Sequence, residues 1–324
     1  HLGRRQVHRR YADRDARPEE SGFWYRLSHL IMRRPVPVAI LSATFLIVLG
    51  IPALHLKFIS VDASVLGEGH SARQVDDVLK TEFPPHRDSP VRLVVENASP
   101  AALAEVQNQV QGVDGDVQVN PPRQLRNNDA VVEVVEDSSF NSDRGRDTVR
   151  DIRDLPDPAG SEVLVTGNAA HFIDFQESLK DHLPIAGAIV VVATLIVLFL
   201  MTGSVVLPIK QLLMNVLNLG AVFGILVFLF QDGRLEGPLD YTSQGALEQT
   251  MPILLFAVAF GLSTDYGVFL LSRIKEARDA GASDSESVAI GLERTGRIVT
   301  AAALLFAIAI GAFATSQIIF IKQN

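Results

Sequence analysis

"AVAFGLSTDYGVFLLSRIKEAR", residues 257–278, starts as an apolar run of membrane grade and then sets Asp265 and Tyr266 inside it. A carboxylate near the centre of a lipid-spanning helix costs about 2.5–3.5 kcal/mol to insert. Either the segment is no span, or the carboxylate is used. Composition decides between these, because 48% hydrophobic and 20% charged residues coexist in segregated blocks. Apolar runs at 36–54, 183–201, 206–230, 251–272 and 298–320 each approach the ~20 residues that cross ~30 Å of hydrocarbon. Five such runs predict a multi-pass α-helical membrane protein.

Residues 55–182 contain no run of that length and hold 23 Asp and Glu against 12 Lys and Arg, a net charge of −11. They predict an inserted, water-facing domain of alternating helix and strand. "SARQVDDVLKTEF" places Val75, Val78, Leu79 and Phe83 on one helical stripe, "VRLVVEN" reads as a strand, and "SPAALAEVQNQV" returns to helical spacing. A second round follows in "DAVVEVVED", "RGRDTVRDIRDL" and "EVLVTG". Then "NAAHFIDFQESLKDHL" stripes Phe172, Phe175, Leu179 and Leu183 into the second span. Two βαβ-like rounds suggest an α+β, ferredoxin-like sandwich, with strand order left open.

Orientation follows from Lys and Arg in the short loops. Residues 1–35 carry nine Arg against four acids, the 273–297 loop holds Arg273, Lys275, Arg278, Arg294 and Arg297, and the 231–250 loop has Arg234 alone. Alternation over five spans puts the N-terminus in the cytoplasm and residues 55–182 outside. The basic segment 1–35 abuts a span and lacks interleaved aromatics, so it reads as a solvated tail and not as a nucleic-acid patch. A cleavable leader at 36–54 fits poorly, since its basic flank is long and four more spans follow. Zero cysteines exclude a disulfide framework, and eight scattered His offer no ligand spacing, so neither metal nor cofactor is expected. No enzyme is indicated: "GLERTGRI" only echoes a phosphate-binding loop, with Arg-Ile where Lys-Ser/Thr is needed.

"FGLSTDYGVFLLSRIKEARDAG", followed by "IGLERTGRIVTAAALLFAIAIGAFATSQIIFIKQ", resembles the C-terminal half of the MmpL branch of the RND transporter superfamily. The matching features are an intramembrane Asp-Tyr, a Ser-Arg (Ser272, Arg273) at the cytoplasmic edge, and a Thr-Gly-Arg lead into an Ala-rich span. "FWYRLSHLIMRRPVPVA" and "FLFQDG" match as well. The resemblance implies a plasma-membrane protein built from two halves of six spans, each with a porter-like domain after its first span. It implies export of lipids or other hydrophobic compounds, driven by the proton-motive force. Here it implies a fragment, without the N-terminal half and the last span, whose partners are the bilayer, protons, a lipid substrate and that missing half. A sterol-sensing lipid receptor, or a SecD/SecF-like accessory to translocation, keeps the same bundle and remains the alternative reading.

The resemblance makes Asp265 and Tyr266 a proton relay, each facing a partner on the equivalent helix of the other half. Ser263, Asn215 and Asn218 are the polar intramembrane residues expected to support it, the two amides chiefly by hydrogen-bonding between helices. Where the family often has Glu after the tyrosine, this chain has Gly267, read as a small packing residue. The glycines of "NLGAVFG", Gly220 and Gly224, are likewise expected at a helix contact.

Overall fold

The computed structural model describes residues 22–66, 69–83, 89–114, 117–239 and 241–312. Most of the basic segment and the end of the last apolar run, 313–320, lie outside the described residues. The helices of ten residues or more are α1 (Phe23–Met32), α2 (Pro35–Gly50, prolonged by a 3-10 turn Ile51–His55), α3 (Ser71–Glu82), α4 (Pro100–Gln111), α5 (Asp143–Arg153), α6 (Asn168–Thr202), α7 (Val206–Leu226), α8 (Met251–Asp279) and α9 (Asp284–Gly311). The strands are β1 (Phe58–Ile59), β2 (Val91–Glu96), β3 (Gln118–Val119), β4 (Arg123–Gln124), β5 (Ala130–Val135), β6 (Glu162–Thr166) and β7 (Leu247–Glu248).

Five helical segments, Pro35–His55, Asn168–Thr202, Val206–Gln231, Met251–Asp279 and Asp284–Gly311, are long and apolar enough to cross a bilayer. The protein is a multi-pass helical membrane protein. Its spans turn their apolar side chains outward: α2 has no buried residue at all, because its surroundings are hydrocarbon and not water. Close contact is made where side chains are absent. A Cβ built on Gly224 of α7 would lie 1.8 Å from the Leu49 carbonyl oxygen of α2, and one on Gly50 would lie 3.2 Å from the Gly220 carbonyl carbon. The two backbones therefore touch, as the glycine spacing predicts. The C-terminal ends of these helices are stapled by Gln231, whose amide donates to His55 O at 2.8 Å and accepts from Lys57 N at 2.8 Å. Gly203, at φ 67°, ends α6 and turns the chain directly into α7.

Between the first two spans lies an antiparallel sheet in the order β3-β5-β2-β6, with β4 also pairing along β5. Alternation decides which face is covered: Val91, Leu93 and Val95 of β2 and Ala130, Val132 and Val134 of β5 enter one core with Val106 and Val110 of α4, Val149 and Ile152 of α5, and Ala169, Ala170 and Ile173 of α6. The helix starts are written in the sequence, since the hydroxyls of Ser99 and Ser142 accept from Ala102 N and Gly145 N to cap α4 and α5. α6 begins inside this core and continues unbroken through the bilayer, with Pro184 within it. The linker after α2 is held by Asn141, whose amide accepts from Ser60 N at 3.0 Å and donates to Ser60 O at 3.1 Å.

Two features differ from the sequence reading. The α3 stripe does not close a core, for Val75 is 58% and Phe83 56% exposed. The sheet face is already filled by α4, α5 and α6, and α3 is tied instead through its polar side to the segment before it, where Lys80 pairs with Asp62 at 3.4 Å and, within the helix, with Asp76 at 2.8 Å. The long helix also keeps only the start of its expected stripe: Phe172 is buried, whereas Leu183 is exposed at the approach to the span.

Glu136 follows β5 and is buried, with Oε2 accepting from Ser138 Oγ at 3.1 Å and Oε1 left without a partner. Burial pushes its pKa up, against the pull of the Ser138 and Thr148 hydroxyls and the Arg144 charge. The folded carboxyl thus holds its proton to higher pH than the unfolded one, and stability falls as pH climbs from the ordinary carboxylate range through the raised value. Glu136→Gln should raise the melting temperature at pH 8 and give no gain at pH 4; a gain equal at both would sink the assignment. The helix contact yields a second expectation. Gly224→Ala should destabilise by about 1–3 kcal/mol through overpacking. Gly220→Ala, whose added Cβ meets nothing within 4 Å, should be close to neutral in the same denaturation measurement.

Candidate functional site

α7 lies against α2, α6 and α8, and α8 packs beside α9. The polar residues of α7 and α8 meet across their contact. Asn215 is fully buried and accepts at Oδ1 from Ser263 Oγ at 2.7 Å and from Gln211 Nε2 at 3.0 Å, while its Nδ2 donates to Thr264 Oγ1 at 3.0 Å. The Gln211 amide also reaches Ser263 O at 3.4 Å. Inside hydrocarbon such amides and hydroxyls have no water to turn to, so the cluster fixes the register of the two helices. Ser263 and Asn215 thus come together in one interhelical cluster. Asn218 is half-buried one turn away and is no part of the cluster.

Gln211 and Thr264 were missed by the sequence reading. The signal available was the i, i+4 spacing of Gln211 and Asn215, which puts both amides on one face of α7. Gly267 makes room for the first of them: a Cβ there would lie 2.6 Å from Gln211 Nε2 and 2.7 Å from its Cδ. The glycine is a close-approach position, as its reading as a packing residue anticipates.

Asp265 is turned away from this cluster. Each residue advances about 100° around a helix, so it sits about 200° from Ser263 and in line with Leu254 and Val258, both exposed. Asp265 is itself exposed and has no hydrogen-bond or ion-pair partner among the described residues. The reason is that nothing among the described residues covers that face of α8. Tyr266, about 100° further round, is half-buried. Arg273 does not neutralise the aspartate, because it pairs with Glu276 at 2.6 Å and lies over the Phe269 ring. The Ser272 hydroxyl donates back to Phe269 O at 2.8 Å. Ser272 and Arg273 therefore make local bonds and stay out of the Asp265 site.

The MMPL family profile matches residues 91–324, most of the chain, including the whole of α8 and both members of the Asp-Tyr pair. The chain belongs to the MmpL family. A Streptomyces coelicolor membrane protein, SCO6666, is 38% identical over 93% of this chain and 42% of its own length. The trehalose monomycolate exporter MmpL3 of Mycolicibacterium smegmatis is 36% identical over 94% of this chain and 31% of its own length. The mycolic acid-containing lipids exporter MmpL11 of the same organism is 31% identical over 90% of this chain and 32% of its own length. This MmpL chain thus spans less than half the length of the curated relatives it matches.

The Gly267–Gln211 contact can be tested by a double-mutant cycle. Gly267→Leu should destabilise the bundle by about 1–3 kcal/mol by displacing the Gln211 amide from Asn215. Adding Gln211→Ala to Gly267→Leu should recover part of that loss, although Gln211→Ala alone is destabilising. Strictly additive effects in thermal denaturation would show that the two positions do not share the space.

Proposed function

We propose that the chain is part of a proton-driven exporter of lipids or other hydrophobic compounds, coupled at Asp265 and Tyr266. The observation that carries this reading is the division of labour on α8. Ser263 and Thr264 are consumed by the contact with α7, while Asp265 stands on a bare apolar face where an unanswered carboxylate costs several kcal/mol. Such a residue is retained for use, and its use requires a facing helix. The family resemblance supplies that helix as the equivalent span of another half, with its own aspartate and tyrosine. The exporter names of the relatives support a lipid cargo.

In this mechanism a proton taken up by Asp265 removes the charge that holds it to its partner, and the two halves shift against each other. Tyr266, with its hydroxyl on the adjoining face, serves as the second member of the relay. Asn215 and Ser263 keep α7 and α8 moving as one body. α6 carries the displacement to the sheet layer, because one uninterrupted helix joins the two. We read that layer as a ferredoxin-like porter domain. With the two-residue β4 set aside, its β-α-β-β-α-β sequence, with the fourth strand beside the first and the third beside the second, supports the assignment. The loop charges favour an extracytoplasmic position for it in the plasma membrane, with the N-terminus on the other side.

The test uses the full-length transporter that contains this chain. Asp265→Asn should insert at normal abundance, since it removes a charge, and abolish proton-dependent lipid export. Asp265→Glu should retain export with a displaced pH profile. Undiminished export by Asp265→Asn at equal membrane abundance would show that coupling lies elsewhere.

A further inference from the structure

α1 is amphipathic in the inverted sense. The face it docks on α9 is the polar one. Tyr25 N donates to Glu293 at 3.0 Å, the Tyr25 hydroxyl donates to Glu286 at 2.8 Å, and His29 Nε2 lies 3.7 Å from Glu286. Glu293 is itself buried, bonds Arg297, and stands over the N-terminus of α1, where its charge complements the helix dipole. The seat is close, since a Cβ on Gly22 would strike the Glu293 carboxylate and one on Gly296 would lie 2.6 Å from the Trp24 ring.

The opposite face, which a helix bordering water would fill with polar groups, is apolar. Phe23 is 70% and Leu30 63% exposed, with Ile31 beside them. Exposed cations accompany them: Arg26 lies on the same face, and Arg33 and Arg34 follow the helix, neither in a salt bridge among the described residues. Only Arg33 and Arg34 separate α1 from Pro35, the first residue of a span, so α1 is confined to the membrane surface. An apolar strip interspersed with guanidinium groups at that depth fits acyl chains below and phosphates above.

We propose that the outward face of α1 is a binding site for anionic phospholipid, with Phe23, Leu30 and Ile31 in the acyl region and Arg26, Arg33 and Arg34 on headgroup phosphates. Glu286 and Glu293 act as positioning residues that set which face the helix presents. The inference needs only the membrane span beside α1 and stands apart from the export reading.

The absence of cysteine allows a direct test on the full chain reconstituted in phosphatidylcholine vesicles containing phosphatidylglycerol. A nitroxide on Leu30→Cys should collide with oxygen in preference to a water-soluble nickel chelate. One on Asp137→Cys, exposed in the sheet layer, should show the reverse. In Arg26→Gln/Arg33→Gln/Arg34→Gln, phosphatidylglycerol retained over phosphatidylcholine, read by mass spectrometry after mild extraction, should fall at least about fivefold, the weight of a single surface cation. Nickel access at position 30 equal to that at 137 would overturn the proposal by placing the face in water. A position 30 closed to both quenchers would overturn it by placing the face under protein. Wild-type phosphatidylglycerol retention in the triple variant would remove the arginines from the site.

Discussion

A polar group inside hydrocarbon must be answered by another protein group, because no water is available to take its place. The membrane part of this chain depends on how that demand is met. The backbone meets it by forming helices. Asn215 meets it by gathering Gln211, Ser263 and Thr264 around one buried amide. That cluster fixes how α8 is rotated against α7, and the rotation points Asp265 the other way. The position of the carboxylate is thus a consequence of satisfying its neighbours.

The same demand explains why α2 and α7 come so close. Lipid tails are as apolar as leucine, so helices gain little by merely hiding apolar side chains from lipid, and contact has to come from packing. Gly50 and Gly224 let one backbone rest on the other, and Gln231 satisfies polar groups at the end of that contact. α1 shows the converse. Its acidic seat on α9 engages Tyr25 and His29 and leaves Phe23, Leu30 and Ile31 facing out, an arrangement suited to a lipid surface.

Much of this was legible in the sequence. The spans declare themselves through length and hydropathy, and β2, β5, β6, α4 and α5 through alternation, helical spacing and serine caps. The two-residue strands β3 and β4 were not legible, being too short to show a period. Nor was the fate of α3, whose stripe of Val75, Val78, Leu79 and Phe83 is as regular as that of a core helix. Periodicity says which face is apolar and not whether a place on the sheet remains for it. In the site, Asp265, Tyr266, Ser263 and Asn215 stood out because polar residues are expensive in a span. Gln211 escaped notice because it lies near the end of its run, where an amide looks ordinary. The side to which Asp265 turns depends on the rotation of α8, which only its contact with α7 fixes.

α6 has one further property. From Ile173, set in the sheet core, to Thr202 it is a single rod of roughly 45 Å. Such a rod works as a lever: a tilt of about 5° at the membrane end carries the other end through some 4 Å at this length. Its softest point is at Pro184, which cannot donate to the Lys180 carbonyl and so weakens one turn of the shaft. Bending there is directional, opening on the side of the missing bond. Where α6 leaves the apolar run for the sheet it therefore has a preferred plane of bending, set by Pro184.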